Sequence, residues 1–171
     1  MVVITDIMVL VSRLSEQLKM TRPFALPEEE ASLALIRTAD LVLNRVSAIL
    51  KGFEITGTQY NVLRILRGSP QGLACGQISE RLVTQDPDIT RLLDRLENRH
   101  WIKRKRSVQD RRIVMAYITP AGLELLERVA PFIASYHRRQ YGGWPEKRLK
   151  QLTDLLEQIR ENEPNLQEEM T

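Results

Sequence analysis

Apolar residues recur every three or four positions along most of the chain, and this spacing predicts a mainly helical protein. The apolar run 113–118 differs, because it is short, follows a basic run and is typical of a strand. The segments with helical spacing are 1–20, 27–52, 56–68, 78–83, 88–100, 120–141 and 145–160. The pattern therefore predicts a mainly α fold with one small β-hairpin.

Residue types at the helix ends support these boundaries. Thr56 and Gln59 have the spacing of a capping box, in which each side chain accepts a hydrogen bond from the other residue's backbone. Thr119 and Pro120 are typical of an N-cap and a first helical residue. Gly52 indicates where the long second helix ends.

The stretch 84–119 predicts an amphipathic helix that leads into a charged hairpin. Asp86 can cap this helix, and Pro87 suits its first turn because no backbone N–H is needed there. The positions that should be buried are Ile89, Leu92, Leu93 and Leu96. The positions on the opposite face are Thr90, Arg91, Asp94 and Arg95. The short helix at 78–83 comes just before, so the two form a helix-turn-helix pattern.

Basic residues are concentrated in this same part of the chain. The stretch 81–112 contains ten Lys or Arg and five Asp or Glu, whereas the chain as a whole has 25 and 22. Four basic residues, 103–106, form the first hairpin strand, 107–110 form the expected turn, and Arg111 and Arg112 follow. Such a cluster is expected of a nucleic-acid site, although a solvated charged face has the same composition.

Side chains that carry enzyme or metal chemistry are scarce. Cys75 is the only cysteine, which excludes an intramolecular disulfide and a Cys-rich zinc site, and we interpret it as an inert small residue. His100 and His137 have no partners at metal-ligand spacing. Neither a phosphate-binding glycine loop nor a nucleophile–base pair is present. We therefore predict no enzymatic activity, no metal and no cofactor.

The apolar N-terminal segment superficially resembles a secretion signal. It lacks a basic start and a cleavage site, and Asp6 interrupts it. It is also too short to cross a bilayer. We expect a cytoplasmic protein without a membrane partner.

Four short blocks stand at 55–63 (ITGTQYNVL), 90–97 (TRLLDRLE), 110–112 (DRR) and 118–122 (ITPAG). Their order and spacing resemble the MarR family of bacterial transcription regulators, over roughly residues 30–160. The resemblance implies an obligate-type homodimer with a winged helix-turn-helix in each subunit.

The resemblance also implies a domain organisation. Residues 54–118 would form the winged helix-turn-helix, and 28–53 with 119–171 would supply the dimerisation helices. Residues 1–27 would be a helical extension associated with the dimer.

For the site, the resemblance implies that the recognition helix 88–100 enters the major groove of DNA and the wing 103–117 reaches the minor groove. Asp110 and Arg112 match the family's Asp-x-Arg motif, where the carboxylate supports the wing by pairing with a nearby arginine and the second arginine probes the groove. A narrow A·T-rich minor groove attracts an inserted arginine. The DNA-binding residues expected are Asp88, Thr90, Arg91, Arg95, Lys105, Arg106, Arg111 and Arg112.

The chain departs from the family pattern at three places. The family often has Ser or Thr near the start of the recognition helix, where this chain has Asp86, Pro87 and Asp88, and Asp88 could accept a hydrogen bond from a cytosine amino group. No glycine follows Asn98, so Asn or His100 would have to adopt the left-handed conformation at the helix end. Ala74 stands where a capping Ser or Thr is common, which leaves Cys75 or water to cap the short helix.

We therefore predict a sequence-specific regulator that binds double-stranded DNA and acts as a repressor relieved by a small molecule of unknown identity. Two-fold symmetry implies a pseudo-palindromic operator whose half-site centres lie about 34 Å apart. Two alternatives remain open: a non-specific architectural DNA binder, and a winged helix used for protein–protein contacts.

Overall fold

The computed structural model describes residues 13–84, 86–107 and 109–162. Within these ranges the fold is mainly helical with one small antiparallel sheet, as predicted. The elements are α1 (Arg13–Gln17), α2 (Pro27–Lys51), α3 (Gly57–Arg67), β1 (Leu73–Ala74), α4 (Cys75–Glu80), α5 (Ile89–Asn98), β2 (Ile102–Arg106), β3 (Val114–Ile118), α6 (Pro120–Gln140) and α7 (Glu146–Glu161).

Contacts between residues divide the chain into two units, one ending at Leu126 and one beginning at Glu127. The first unit contains α2 to α5, the sheet and the start of α6. All the basic side chains of the 81–112 stretch belong to it.

The sheet has the strand order β1-β3-β2, with both pairs antiparallel. The predicted hairpin is β2 and β3, where Arg104 pairs with Ala116 and Ile102 with Ile118. The Ser107 N–H donates to the Ile113 carbonyl at 2.8 Å and extends this pairing into the turn. The third strand, β1, was not predicted, because two residues are too few to display an alternating pattern.

The apolar core of the first unit lies between α3, α4, α5 and the sheet. Three of the four apolar positions predicted to be buried on the recognition helix are buried, and Ile89 is half-buried. The buried apolar side chains include Val62, Leu63, Leu66, Leu73, Ile78, Leu92, Leu93, Leu96, Ile102 and Ala116. Because α5 and the hairpin both contribute side chains to this core, they pack against the same elements.

The two predicted helix starts at Thr56 and Thr119 are confirmed. The Thr56 N–H donates to Gln59 Oε1 at 3.1 Å, and the Gln59 N–H donates to Thr56 Oγ1 at 3.2 Å. At the other start, the Gly122 N–H donates to Thr119 Oγ1 at 3.2 Å, and α6 begins at Pro120. A Cβ on Gly122 would overlap the Trp101 carbonyl, so α6 starts directly against the end of α5.

The short helix lies earlier in the chain than predicted. It spans Cys75–Glu80, and Val83, which the sequence pattern included, lies outside it and is 84% exposed. The N-cap residue is Ala74, which has no side chain able to accept a hydrogen bond, and Cys75 is the first helical residue and does not cap the helix. The Ala74 N–H instead donates to Gln77 Oε1 at 3.0 Å, so the Gln77 side chain satisfies a donor at the helix start.

The predicted helix over 1–20 falls mostly outside the described residues, which include only its segment Arg13–Gln17 as α1. Among the described helices, none combines the length and the apolar character that crossing a membrane requires.

Candidate nucleic-acid interface

The helix α5 is capped by Asp88, not by Asp86 as predicted. Asp88 Oδ1 accepts a hydrogen bond from the Arg91 N–H at 3.1 Å, which is the geometry of an N-cap. Asp86 lies two residues before this cap, and its Oδ1 accepts a hydrogen bond from the Asp88 N–H at 2.9 Å. Pro87 therefore precedes the helix and does not occupy its first turn. The sequence reading failed because Asp86 and Asp88 are both good caps and only one can be the boundary.

Four predicted site residues lie on the outer side of α5 or at its start. Asp88, Thr90, Arg91 and Arg95 are all exposed. Arg91 Nε also lies 3.3 Å from Asp88 Oδ2, so the two side chains form an ion pair. The remaining outer residue, Asp94, is partly shielded and has a different partner.

The end of α5 has the left-handed residue that the sequence required, and it is His100, with φ of 58°. The His100 N–H donates to the Glu97 carbonyl at 2.8 Å, and the Trp101 N–H donates to the Leu96 carbonyl at 3.1 Å. These are the two bonds of a Schellman motif, which glycine usually completes. Trp101 is buried beyond this turn, so the chain leaves the helix directly into β2.

One arginine of the basic run joins the hairpin to α5. Arg104 Nε lies 2.7 Å from Glu97 Oε2, and Arg104 Nη2 lies 2.6 Å from Asp94 Oδ1. The Arg104 N–H also donates to Glu97 Oε1 at 2.7 Å. The hydrogen bond with Glu97, above all, raises the pKa of Arg104 above its ordinary value, so this side chain is charged at any neutral pH.

Arg104 was not among the predicted site residues. The sequence contains a feature that could have indicated this contact. Asp94 and Glu97 are three positions apart, so they lie on one side of the helix, shortly before the strand that contains Arg104. The apolar pattern places Asp94 on the outward face and assigns Glu97 to neither face, although a helix closely followed by a strand can turn such carboxylates towards that strand.

The other predicted basic residues are exposed on the hairpin. Lys105 and Arg106 lie on β2, and Arg111 and Arg112 lie in the turn before β3. The Arg112 side chain is 93% exposed. The hairpin thus presents cations at its tip, while Arg104 in the middle of β2 already binds two carboxylates.

Asp110 lies within the hairpin turn and contacts Arg112. Its Oδ1 accepts from the Arg112 N–H at 2.9 Å and lies 3.4 Å from Arg112 Nε, and its carbonyl accepts from the Ile113 N–H at 2.9 Å. Ser107 Oγ accepts from the Gln109 N–H at 3.2 Å. The Asp110 carboxylate therefore contacts Arg112, the same arginine that the family resemblance assigns to the minor groove.

A second contact joins the end of α5 to the end of α2. Arg99 Nη2 lies 3.2 Å from Glu54 Oε2, and Arg99 Nη1 donates to the Glu54 carbonyl at 3.3 Å. The Arg99 guanidinium also lies 4.3 Å from the centre of the Trp101 ring, within cation–π range. Sequence reasoning missed this contact, because the two partners are 45 residues apart.

The described residues contain no group of three or more His, Cys, Asp or Glu side chains that could hold a metal ion. Cys75 lies half-buried at the start of α4 as a free cysteine. The chemistry that this surface offers is thus cationic hydrogen-bond donation from a rigid helix and a hairpin tip, which suits a phosphate backbone and base edges.

Comparison with known proteins agrees with this geometry. The model of the MarR family matches residues 55–114, which include α3 to α5, β2 and the hairpin turn, and end at the first residue of β3. The crystal structure of a MarR transcription factor from Planctomyces limnophilus is 39% identical, with a TM-score of 0.61, and the match covers 80% of this chain and 98% of that one.

Two further proteins extend the comparison. The homoprotocatechuate degradative operon repressor of Escherichia coli is 24% identical over 131 residues, which are 77% of this chain and 88% of the repressor. The crystal structure of CouR from Rhodococcus jostii RHA1 bound to p-coumaroyl-CoA is 24% identical, with a TM-score of 0.69, and covers 80% of this chain and 95% of that one. Fold, site geometry and relatives agree: the chain belongs to the MarR family and is a transcription regulator of that family.

Proposed function

We propose that this regulator binds a pseudo-palindromic operator in double-stranded DNA as a homodimer, with α5 in the major groove and the β2–β3 hairpin in the minor groove. The observation that carries the proposal is the rigid link through Arg104. It joins an exposed basic helix face to an exposed basic hairpin tip, so both can meet one duplex at a fixed separation.

Each side chain then has a role that its position supports. Thr90, Arg91 and Arg95 on α5 would contact base edges and phosphates, with Asp88 at the helix start. Lys105, Arg106 and Arg111 would contact phosphates beside the hairpin. Arg112 would enter the minor groove, with Asp110 supporting the turn from which it projects.

The dimer proposal rests on the helices outside the DNA-contacting part. In the single chain α2 exposes a large apolar surface, which water does not favour and a second copy could cover. The exposed apolar residues of α2 are Leu33, Leu35, Ile36, Leu41 and Leu43. We infer that residues 28–53 and 119–171 form the dimer interface, that 1–27 extend it, and that 54–118 bind DNA.

We further infer that the protein represses transcription until a small molecule weakens its hold on DNA. Support comes from relatives: one is named as an operon repressor, and the CouR structure has p-coumaroyl-CoA bound. A molecule that binds the free form better than the DNA-bound form would release the operator.

The test is a binding titration of the wild-type protein on the DNA upstream of its own gene and on a scrambled duplex of equal composition. The proposal predicts preference for the upstream duplex and affinity that falls steeply with salt, because each neutralised phosphate releases counterions. Equal affinity for both duplexes would favour an architectural DNA binder. Undetectable binding at about 50 mM salt would instead favour a winged helix used for protein contacts, because electrostatic binding is strong at low salt.

A further inference from the structure

The start of α5 is a short chain of contacts that ends at an arginine. Asp86 accepts from the Asp88 N–H at 2.9 Å, and Asp88 Oδ1 accepts from the Arg91 N–H at 3.1 Å. The second oxygen, Asp88 Oδ2, lies 3.3 Å from Arg91 Nε. One carboxylate therefore caps the helix and also holds the side chain three residues later.

This contact engages one edge of the Arg91 guanidinium. The group has five N–H donors in a fixed plane, of which one is on Nε and four are on the terminal nitrogens. In the part of the chain that the structure describes, Asp88 is the acidic residue that pairs with Arg91, through Nε. The two terminal nitrogens can thus donate side by side to the O6 and N7 of guanine, the commonest specific contact between an arginine and a base.

We propose that Asp88 is a specificity-determining positioning residue, which holds Arg91 so that its terminal nitrogens read one guanine in each half of the operator. The inference rests on the proposed function. It means that Asp88 acts on DNA recognition by positioning Arg91, and that Asp88 does not itself contact a base. Asp88 Oδ1 already accepts from the Arg91 N–H, and Asp88 Oδ2 is already engaged in the ion pair with the Arg91 side chain.

Two physical arguments favour this role over one in folding. The Asp88 and Arg91 side chains are 50% and 77% exposed, and an ion pair so exposed to water contributes little to stability. Its effect is instead to reduce the number of orientations that Arg91 samples before it meets DNA, and a preorganised side chain loses less entropy on binding. The pair also neutralises a carboxylate that would otherwise repel nearby phosphates.

The test compares three single variants and one double variant on duplexes that carry each base at every operator position. Asp88→Asn keeps the N-cap, since Asn caps a helix as well as Asp does, but its neutral amide cannot form the ion pair with Arg91. Asp86→Asn removes the same charge two residues away and keeps an oxygen for the Asp88 N–H. Arg91→Ala removes the reading side chain itself.

We expect wild type to favour guanine at one position of each half-site by about 10- to 100-fold. Asp88→Asn should reduce this preference about tenfold, towards that of Arg91→Ala, while Asp86→Asn keeps it. The double variant Asp88→Asn, Arg91→Ala should lose no further preference, since the two residues act together. Unchanged thermal unfolding of Asp88→Asn would separate the effect from loss of the helix cap.

Three results would overturn the inference. Full guanine preference in Asp88→Asn would mean that the ion pair does not position Arg91. Loss of a cytosine preference in that variant, with guanine preference kept, would mean that Asp88 reads a base itself. Failure of wild type to bind any duplex would overturn the proposed function and this inference with it, whereas the first two results leave the proposed function standing.

Discussion

Arg104 and Glu97 are joined by two hydrogen bonds, one from the Arg104 guanidinium and one from its backbone N–H, each 2.7 Å long. The pair fixes the first hairpin strand against the last turn of α5. Because Asp94 binds the same guanidinium, two carboxylates share one cation at the junction of the helix and the hairpin. The angle between the two proposed DNA-contacting elements depends on this junction.

Replacing Arg104 by Met should lower the free energy of unfolding by about 1–3 kcal/mol, because the hydrogen bonds from the guanidinium to Asp94 and Glu97 are lost and Glu97 keeps only the bond from the backbone N–H. The raised pKa of Arg104 means that its contribution is present below the ordinary arginine pKa and is lost only as pH rises through the higher value. The deficit should therefore not change across neutral pH. Chemical denaturation measures it.

The matched control for that substitution is Arg106→Met, which removes the same charge from an exposed position on the same strand. Its effect should stay within about 0.5 kcal/mol. Equal losses in the two variants would mean that the junction does not stabilise the fold.

His100 should be replaceable by glycine with a gain in stability. A left-handed backbone costs a residue with a Cβ about 1–2 kcal/mol, and His100 has φ of 58°. We expect His100→Gly to raise the free energy of unfolding by about 0.5–1 kcal/mol, because part of the gain is offset by the greater freedom of glycine in the unfolded chain.

Asn98→Gly is the control for the substitution at His100, because Asn98 is the last helical residue of α5. Glycine inside a helix should lower the free energy of unfolding, by about 0.5 kcal/mol. If both glycines destabilise the protein, the Schellman motif at the end of α5 is wrong.

A charge on α2 should separate the proposed dimer. Ile36 is 63% exposed in the single chain, so Ile36→Glu should barely affect the stability of the chain itself. At an interface the same carboxylate would be buried without a partner, which should weaken dimerisation at least tenfold, or about 1.4 kcal/mol. Sedimentation velocity over a range of concentrations measures this change.

Gln71 provides the control, because it is exposed and lies outside the residues proposed to form the dimer interface. Gln71→Glu adds the same charge and should leave dimerisation nearly unchanged. A wild-type protein that sediments as a monomer at micromolar concentration would refute the dimer proposal.

Removing the cation at the hairpin tip should weaken DNA binding in a salt-dependent way. Arg112→Ala should reduce the slope of log affinity against log salt by about one, and the loss should be largest on operators with A·T-rich flanks. Lys147→Ala removes the same charge from α7 and should leave the slope unchanged. An unaltered slope in Arg112→Ala would mean that the hairpin tip does not enter the groove.

The sequence predicted the helices well where a repeated apolar pattern and a unique cap coincide. Thr56 with Gln59 and Thr119 with Pro120 are such starts, and the structure has both. The cap of α5 was misplaced by two residues because Asp86 and Asp88 are both good caps by residue type, and only the structure shows that Asp88 accepts from the Arg91 N–H.

Contacts between different elements of the fold could not be predicted from the sequence. Arg104 and Arg106 are both basic residues of one strand, yet one binds two carboxylates and the other is exposed. The bond between Arg99 and Glu54 joins residues far apart in the chain, and β1 is too short to carry a pattern. These features follow from how the elements pack, which a local pattern does not encode.

The central claim, that α5 and the hairpin contact the two grooves of one operator, is tested most directly by methylation protection with dimethyl sulfate. This reagent modifies the N7 of guanine in the major groove and the N3 of adenine in the minor groove, so one experiment reports on both. Bound wild-type protein should protect guanines in two half-sites about one helical turn apart and adenines in the flanks, and Arg112→Ala should lose only the adenine protection. Protection confined to one groove, or unrelated to any two-fold arrangement, would contradict the claim.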